Sequence, residues 1–237
     1  MKTIQINGTI VDDDDAWIYD FFGIRNISPG MVKKELEEAN GDEVTLEINS
    51  GGGDLFAGNE IYYMIRAYGP YTRADITALA ASAATVVACG ADTVRASPGM
   101  QYMIHNVSCG AQGDYRTMDH ASAILQNANR AVSNIYQLKT GMSEKDLLKL
   151  MDEETWMEAK RAVELGFVDE IIGDMERTLA GRSSVTVYNS VAQILSEEVK
   201  DRIRQTIKVP EGKQNMQIER KRLELLRLKG ERKNVYI

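Results

Sequence analysis

A single serine lies inside a run of small apolar residues, in a setting where it could do chemistry. Residues 76–90 read ITALAASAATVVACG, and Ser82 stands where a predicted strand gives way to a predicted helix. The first N–H groups of a helix have no partner within it and give that end a positive potential. A serine at such a junction either fits a tight packing site or points its oxygen at a substrate. The segment alone leaves both interpretations open.

Three consecutive glycines, Gly51 to Gly53, follow another predicted strand and precede a helix. Neither nucleotide-binding glycine pattern is present, since no lysine follows the run. The glycines are compatible with a plain strand-to-helix turn. They also form a backbone that can approach a ligand closely and donate N–H groups to it. The N–H groups of Gly53 and Ala83 could then act as a pair of oxyanion donors.

A serine nucleophile needs a base, and the chain has two histidines. His105 ends the predicted strand QYMIH, and a strand delivers its last side chain to one edge of a sheet. His120 lies beside Asp119 near the start of a long predicted helix, and we expect it to face solvent or a neighbour. No lysine occurs between Lys34 and Lys139, which removes a serine–lysine pair. His105 is the candidate base, although a lone histidine at a strand end is more often structural.

Strands and helices alternate through the first 173 residues, which predicts an α/β fold with a mostly parallel sheet. Ser28 and Pro29 are typical of a helix start, and Gly141 of a helix end. An apolar stripe over residues 121–138 predicts one long helix. The predicted strands are 2–11, 43–48, 76–80, 92–97, 100–105 and 167–171, and the predicted helices begin near 28, 55, 82, 121, 143 and 157. We interpret the acidic run Asp12 to Asp15 as a solvated turn.

Charge and composition exclude several classes of protein. The net charge is −7, but residues 1–173 carry −12 while residues 174–237 carry +5. An acidic body of this kind is not typical of a nucleic-acid-binding protein. No apolar stretch reaches the roughly 18 residues that span a bilayer, and the first residues lack an apolar signal core. We therefore expect a cytoplasmic protein with no membrane partner.

The alternation of strands and helices stops after Gly173, which predicts two domains. Residues 1–173 form the first, and residues 174–237 form a linker and a basic helical extension. Within the extension, residues 189–208 have the spacing of an amphipathic helix, and a second helix is predicted after Pro210. The two cysteines, Cys89 and Cys109, form neither a disulfide framework nor a metal motif, and we expect Cys89 to be buried.

Four blocks of the chain occur in the order found in one peptidase family. INSGGGDLFAGNEIYYMI, AASAATVVACGA, MIH and AKRAVELGFVDEI resemble the ClpP serine peptidases, the proteolytic subunits of the Clp protease, over roughly residues 1–173. The resemblance implies the ClpP/crotonase fold, with stacked βαβ units, a mostly parallel sheet and a projecting long helix. It implies Ser82 as nucleophile, His105 as base, and Gly53 and Ala83 as backbone donors to the oxyanion. It requires no metal and no other cofactor.

The acid of the triad is where the chain departs from the family. The family places an aspartate before an aromatic-led segment, whereas the matching stretch here reads MDEETWMEA. An ungapped match puts Glu154 at the position of that acid, with Asp152 two residues upstream. A glutamate can orient a histidine as an aspartate does, but its longer side chain must be positioned differently. We predict Glu154 and keep Asp152 as the alternative.

Other departures concern the two ends of the chain. The first residues lack the extended segment that lines the axial pore of housekeeping ClpP, and a basic segment follows the peptidase domain. Together with DEETW, these features are similar to the ClpP-like head-maturation peptidases of phages and prophages. The resemblance implies a homo-oligomer, as a heptameric ring or a stacked double ring, a peptide or protein substrate, and capsid or scaffold proteins or a Clp ATPase as partners.

The predicted function is serine endopeptidase, and two alternatives differ from it in class. A crotonase-type enzyme acting on a CoA thioester also holds an oxyanion with paired N–H groups, but it needs no triad. A non-catalytic shell protein would keep the fold for assembly alone. The reactivity of Ser82 towards a fluorophosphonate separates the first alternative from a peptidase.

Overall fold

One sheet of eight strands runs through the residues that the computed structural model describes, 2–173 and 195–206. The strands are β1 Lys2–Ile10, β2 Asn26–Ile27, β3 Val44–Gly53, β4 Thr72–Ala81, β5 Thr93–Ala96, β6 Gln101–Ile104, β7 Thr155–Glu158 and β8 Glu170–Ile171. The main path has the order β2-β1-β3-β4-β5-β8, and β6 pairs with β4 and with β7. All pairs are parallel except β6 with β7. The predicted α/β class with a mostly parallel sheet is confirmed.

Helices lie between most of the strands, as is usual where strands pair in parallel, and α8 follows the last strand. They are α1 Asp13–Phe22, α2 Pro29–Ala39, α3 Leu55–Ala67, α4 Ala83–Ala88, α5 Tyr115–Thr140, α6 Glu144–Asp152, α7 Ala159–Glu164 and α8 Glu197–Thr206. Several ends follow the expected local chemistry. Ser143 accepts a hydrogen bond from the Asp146 N–H at the start of α6, and Gly141 ends α5 in the left-handed conformation.

In β3 and β4 the side chains alternate, with apolar residues buried on one face of the sheet and polar residues such as Glu47 and Asp75 only half-buried on the other. In β3 and β4, Leu46, Ile48 and Ile76 are fully buried, and they pack in one core with Ile4 and Ile6 of β1. Helix α4 is buried along its whole length. The sheet and α4 thus form a rigid support for the residues that follow β3, β4 and β6.

Helix α5 packs on the core only through its second half. Its buried residues are Val132, Ser133 and Tyr136, whereas Ile124 of the predicted stripe is 53% exposed. The stripe over residues 121–138 therefore is not an ordinary core face throughout. Over the ranges that the structure describes, its first half leaves apolar side chains such as Tyr115 and Ile124 exposed.

Two local predictions were wrong, and a third is confirmed in part. Asp12 to Asp15 do not form a turn: Asp12 caps α1 by accepting from the Asp14 N–H, and the following acids complement the positive end of that helix. Residues 157–158 belong to β7 rather than to a helix, because β6 pairs with them. Of the helix predicted over residues 189–208, α8 occupies Glu197–Thr206, residues 195 and 196 are not helical, and residues 189–194 and 207–208 lie outside the described ranges.

The chain divides into two compact units, with residues 2–173 and 195 in one and residues 196–206 in the other among those described. The predicted boundary after Gly173 and the second helix after Pro210 fall on or beside residues outside the described ranges, so both stay predictions. No helix in the described ranges is long and apolar enough to cross a membrane.

Candidate active site

Three segments that are distant in sequence meet at one edge of the sheet. The glycine run closes β3, Ser82 follows β4, and His105 follows β6. Because β3, β4 and β6 are parallel neighbours, their carboxyl ends lie on the same edge. In open α/β sheets this edge is where ligands bind.

Ser82 and His105 are in direct contact. The distance from His105 Nε2 to Ser82 Oγ is 2.8 Å, and both residues are half-buried. In the tautomer with the proton on Nδ1, the serine hydroxyl donates to Nε2. The Ser82 N–H also donates to the Met103 carbonyl at 2.9 Å, which ties the serine turn to the strand that carries His105. The pair has the geometry in which a base can take the proton of a nucleophile.

The backbone of Ser82 is strained. Its φ of 56° and ψ of −127° lie in a region that residues with a Cβ rarely adopt. Such conformations persist only where the surroundings hold them, and they cluster at active sites. Here the Ser82 carbonyl accepts two hydrogen bonds from Thr85, one from its N–H at 2.9 Å and one from its hydroxyl at 2.6 Å. Ser82 itself makes no side-chain cap bond, so its hydroxyl is left for His105.

The glycine turn fits closely against the serine turn. A Cβ on Gly52 would lie 2.6 Å from the Ala81 carbonyl oxygen and 2.8 Å from the Ser82 Cβ, and its φ is +90°. Ser50 holds this turn, because its hydroxyl donates to the Gly8 carbonyl at 2.6 Å and accepts the Gly52 N–H at 3.1 Å. The Gly52 N–H is thereby occupied. Gly53, with φ +149°, follows directly.

Ala83 is the first residue of α4, and its N–H therefore has no carbonyl partner within the helix. It lies next to the Gly52 backbone, since the Ala83 nitrogen would be 2.9 Å from a Cβ on Gly52. The two segments predicted to supply the oxyanion donors are thus adjacent in space.

The two candidate acids lie near His105 but contact other groups. The Glu154 carboxylate accepts from the Trp156 indole at 3.3 Å, and the Asp152 carboxylate accepts from the Asn106 amide at 2.8 Å. Over the described ranges, the His105 ring bonds only to Ser82. The backbone register distinguishes the two acids. Ile104 pairs with Thr155 at the end of the antiparallel β6–β7 pair, so the residues that come next on the two strands, His105 and Glu154, face each other. Glu154 also has a positive φ of 47°.

The remaining cysteine and metal predictions concern groups away from this contact. Cys89 is buried at the C-terminal end of α4, and Cys109 is exposed. Desolvation raises the pKa of the Cys89 thiol to about 12. In the part of the chain that the structure describes, no three His, Cys, Asp or Glu side chains are grouped so as to hold a metal ion.

Residue-by-residue reasoning missed three supporting side chains. Ser50 and Thr85 bond to the two turns, and Asn106 holds Asp152. Ser50 is adjacent to Gly51 and Thr85 lies two residues after Ala83, and this proximity to singled-out positions was the available signal. Their partners are set by tertiary contacts that no local pattern displays.

A serine bonded to a histidine at the carboxyl edge of a parallel sheet defines a serine hydrolase type of site. Comparison with known proteins narrows the class. Residues 29–175 match the family described as Clp protease. The chain therefore belongs to the Clp protease family, and it is a ClpP-type serine peptidase.

Relatives and a solved structure agree with this family. The chain is 29% identical to the ATP-dependent Clp protease proteolytic subunit 2 of Treponema denticola, over 68% of this chain and 88% of that protein. It is 35% identical to the ATP-dependent Clp protease proteolytic subunit 1 of Chlamydia abortus, over 58% of this chain and 74% of that protein. The structure of a ClpP1 point mutant from Listeria monocytogenes has the same fold, with a TM-score of 0.59 at 23% identity, covering 73% of this chain and 92% of that one.

Proposed function

We propose that this chain is an endopeptidase that cleaves protein substrates through an acyl-enzyme, with Ser82 as nucleophile and His105 as general base. Ser82 Oγ attacks the peptide carbonyl carbon while its proton passes to His105 Nε2. The histidine then returns that proton to the leaving amine, and an ester on Ser82 remains. Water, deprotonated by the same histidine, hydrolyses the ester and regenerates the serine. The observation that carries the proposal is the 2.8 Å contact between Nε2 and Oγ.

The oxyanion is stabilised in this proposal by the N–H groups of Gly53 and Ala83. The Gly52 N–H already bonds to Ser50, which leaves Gly53 as the donor on the glycine turn. Glu154 is proposed to orient His105 through Nδ1. Its support is the β6–β7 register, and a rotation of its side chain away from Trp156 would be needed to make the contact. Such contacts often tighten only when substrate is bound.

The decisive experiment is labelling with a fluorophosphonate, read by intact mass and then by peptide mapping. We expect one adduct per chain, on the peptide that contains Ser82, and no adduct on Ser82→Ala. Hydrolysis of a short peptide should be lost in the same variant. A folded wild-type chain that neither labels at Ser82 nor cleaves peptides would favour a crotonase-type thioester enzyme or a non-catalytic shell protein.

We further propose that the chain forms a homo-oligomeric ring, heptameric or doubly stacked, and that a Clp ATPase delivers its substrates. The support is the family, together with the uncovered first half of α5, where Tyr115 is 73% and Ile124 53% exposed. Exposed apolar surface of this kind marks interaction sites. Ile124→Glu should lower the sedimentation coefficient of the assembly, whereas Gln126→Glu, also exposed on α5, should not. Unchanged assembly in both variants would place the contact elsewhere.

A role in phage or prophage capsid maturation is the finer form of this proposal. Its support is in the sequence alone: the DEETW segment and a basic extension of charge +5 behind an acidic body of charge −12. Co-expression with a phage major capsid protein and its scaffold protein would test it. Cleavage of one of them by the wild type, and not by Ser82→Ala, is the expected result.

A further inference from the structure

A chain of buried hydroxyl groups connects the long helix α5 to the backbone of Ser82. Thr85 Oγ1 lies 2.6 Å from the Ser82 carbonyl oxygen and 2.6 Å from the Tyr136 hydroxyl oxygen. A carbonyl can only accept, so the Thr85 proton is directed to Ser82, and the Tyr136 hydroxyl must donate to Thr85. The direction of both hydrogen bonds is therefore determined by chemistry alone.

Both side chains are enclosed. Thr85 is fully buried and Tyr136 is 1% exposed. Burial raises the pKa of the Tyr136 hydroxyl, so it keeps the proton that it donates. Water has no access to replace either bond, and an unmade hydrogen bond at this depth is costly. The pair is consequently a fixed support rather than an exchangeable surface contact.

The Thr85–Tyr136 pair bonds to the carbonyl of Ser82, the residue with the strained backbone. Ser82 has a φ of 56°, and its carbonyl orientation defines where the following N–H, that of Ala83, points. Thr85 supplies two of the hydrogen bonds on that carbonyl, through its N–H and its hydroxyl. The N–H bond belongs to the helix turn and would survive a change of side chain. The hydroxyl bond is specific to the residue at position 85, and Tyr136 restricts its rotation.

A second buried tyrosine provides an internal comparison. Tyr102 and Tyr136 are both buried and both pack on Phe167, with ring centroids 5.2 Å and 5.4 Å away. The Tyr102 hydroxyl reaches the Thr85 carbonyl at 3.4 Å and the Cys89 sulfur at 3.8 Å, but not the Thr85 hydroxyl. Of these two tyrosines, Tyr136 alone touches the hydroxyl that bonds to Ser82.

We propose that Thr85 and Tyr136 are positioning residues, which hold the strained backbone of Ser82 so that its hydroxyl faces His105 and the Ala83 N–H faces the oxyanion. This inference rests on the proposed role of Ser82 as nucleophile. It adds to that role a dependence of Ser82 reactivity on Tyr136 of α5, which lies 51 residues beyond Thr85 in the sequence.

The test compares Thr85→Val, Thr85→Ser, Tyr136→Phe and the matched control Tyr102→Phe with the wild type. For each full-length variant, the rate constant of fluorophosphonate labelling at Ser82, the kcat and KM for a short peptide, and the urea midpoint are measured. Thr85→Val should lower the labelling rate and kcat by roughly 10- to 100-fold, as expected for a misplaced reacting group, with little change in KM. Tyr136→Phe should lower them by roughly fivefold, the equivalent of one neutral hydrogen bond.

The controls separate positioning from stability. Thr85→Ser keeps the hydroxyl and should retain labelling close to the wild-type rate, even where it lowers the urea midpoint. Tyr102→Phe should lower the midpoint about as much as Tyr136→Phe and leave the labelling rate unchanged. Equal labelling rates for Tyr136→Phe and the wild type, or equal losses in Tyr102→Phe and Tyr136→Phe, overturn the inference. A wild type that does not label at Ser82 instead removes the proposed nucleophile, which is a different result.

Discussion

Ser82 and His105 touch each other through their reacting atoms, and this contact determines how their substitutions should combine. We expect Ser82→Ala to reduce kcat by a factor on the order of 10⁶, by analogy with a fully active triad. His105→Ala should cost about as much, because each residue is ineffective without the other. The double variant should be little worse than either single one. Peptide hydrolysis measured at saturating substrate checks this, and additive losses would contradict a shared role.

The identity of the acid is also a question at the scale of single residues. Glu154→Gln should reduce kcat strongly while leaving the urea midpoint near the wild-type value, since its carboxylate lies at the surface. Asp152→Asn is the matched control, because it too removes one charge and also lies beside the site. A reduced kcat in Asp152→Asn with an unchanged kcat in Glu154→Gln would identify Asp152, two residues upstream, as the acid.

At the scale of elements, the close fit of the β3 glycine turn against the start of α4 makes Gly52 sensitive to substitution. Gly52→Ala adds a Cβ at 2.6 Å from the Ala81 oxygen in a backbone with φ +90°. We expect it to slow labelling of Ser82 by ~10-fold or more, because the serine turn must shift. Gly69→Ala controls for strain alone, since Gly69 has φ +86° and open space around it.

The control should lose about 1 kcal/mol of stability from strain and keep its labelling rate. Equal labelling in both alanine variants would show that the glycine turn does not constrain Ser82. Labelling rates and urea midpoints measured side by side distinguish these outcomes.

The buried thiol of Cys89, at the C-terminal end of α4, predicts a loss of stability at alkaline pH. Burial raises the pKa of Cys89 from 9.0 to about 12, so the folded chain keeps a proton that the unfolded chain has released. The protonated thiol makes its full contribution to the free energy of unfolding below about pH 9. That contribution is lost as pH rises towards 12, by on the order of 1 kcal/mol per pH unit.

Urea unfolding at about pH 8 and about pH 10.5 measures this effect. The free energy of unfolding should fall less between these conditions in Cys89→Ala than in the wild type. In Cys109→Ala, which removes the exposed thiol, the free energy of unfolding should fall by as much as in the wild type. Burial is the largest cause of the raised pKa values of Tyr102 and Tyr136, and it is common to all three chains, so this part of their effect cancels in the comparison. Identical pH dependence of all three would contradict the prediction.

At the scale of the whole molecule, the proposed chemistry is confined to the first compact unit. Every residue assigned a chemical role precedes Thr155, and residues 196–206 belong to the second unit. We expect a chain ending at Gly173 to remain folded and to label at Ser82, while its assembly or its recruitment to a capsid precursor is impaired. Labelling and sedimentation of the shortened chain are the measurements. A ring-forming shortened chain with an unreactive Ser82 would make the later residues part of the active site.

Much of the fold was accessible from local patterns. The loose alternation of apolar and polar residues over 2–11 marked β1, and Ser28, Gly141 and Ser143 marked helix ends, because these signals depend on neighbours in sequence. The errors arose where a partner decided the outcome. Met157 lies in a helix-like stretch, but it is a strand residue because it pairs with Tyr102. The acidic run at Asp12 was misjudged because an N-cap and a solvated turn share the same residue types.

Residue type and order along the chain were enough to indicate the class of the fold, the candidate pair Ser82 and His105, and the family resemblance. That the ends of β4 and β6 meet, so that the pair lies 2.8 Å apart, depends on tertiary packing. Tertiary packing also decided that Tyr136 reaches Thr85 beneath Ser82. The physical reason is that strand register and the direction of buried side chains are set by packing between distant segments, whose free energy no local pattern records.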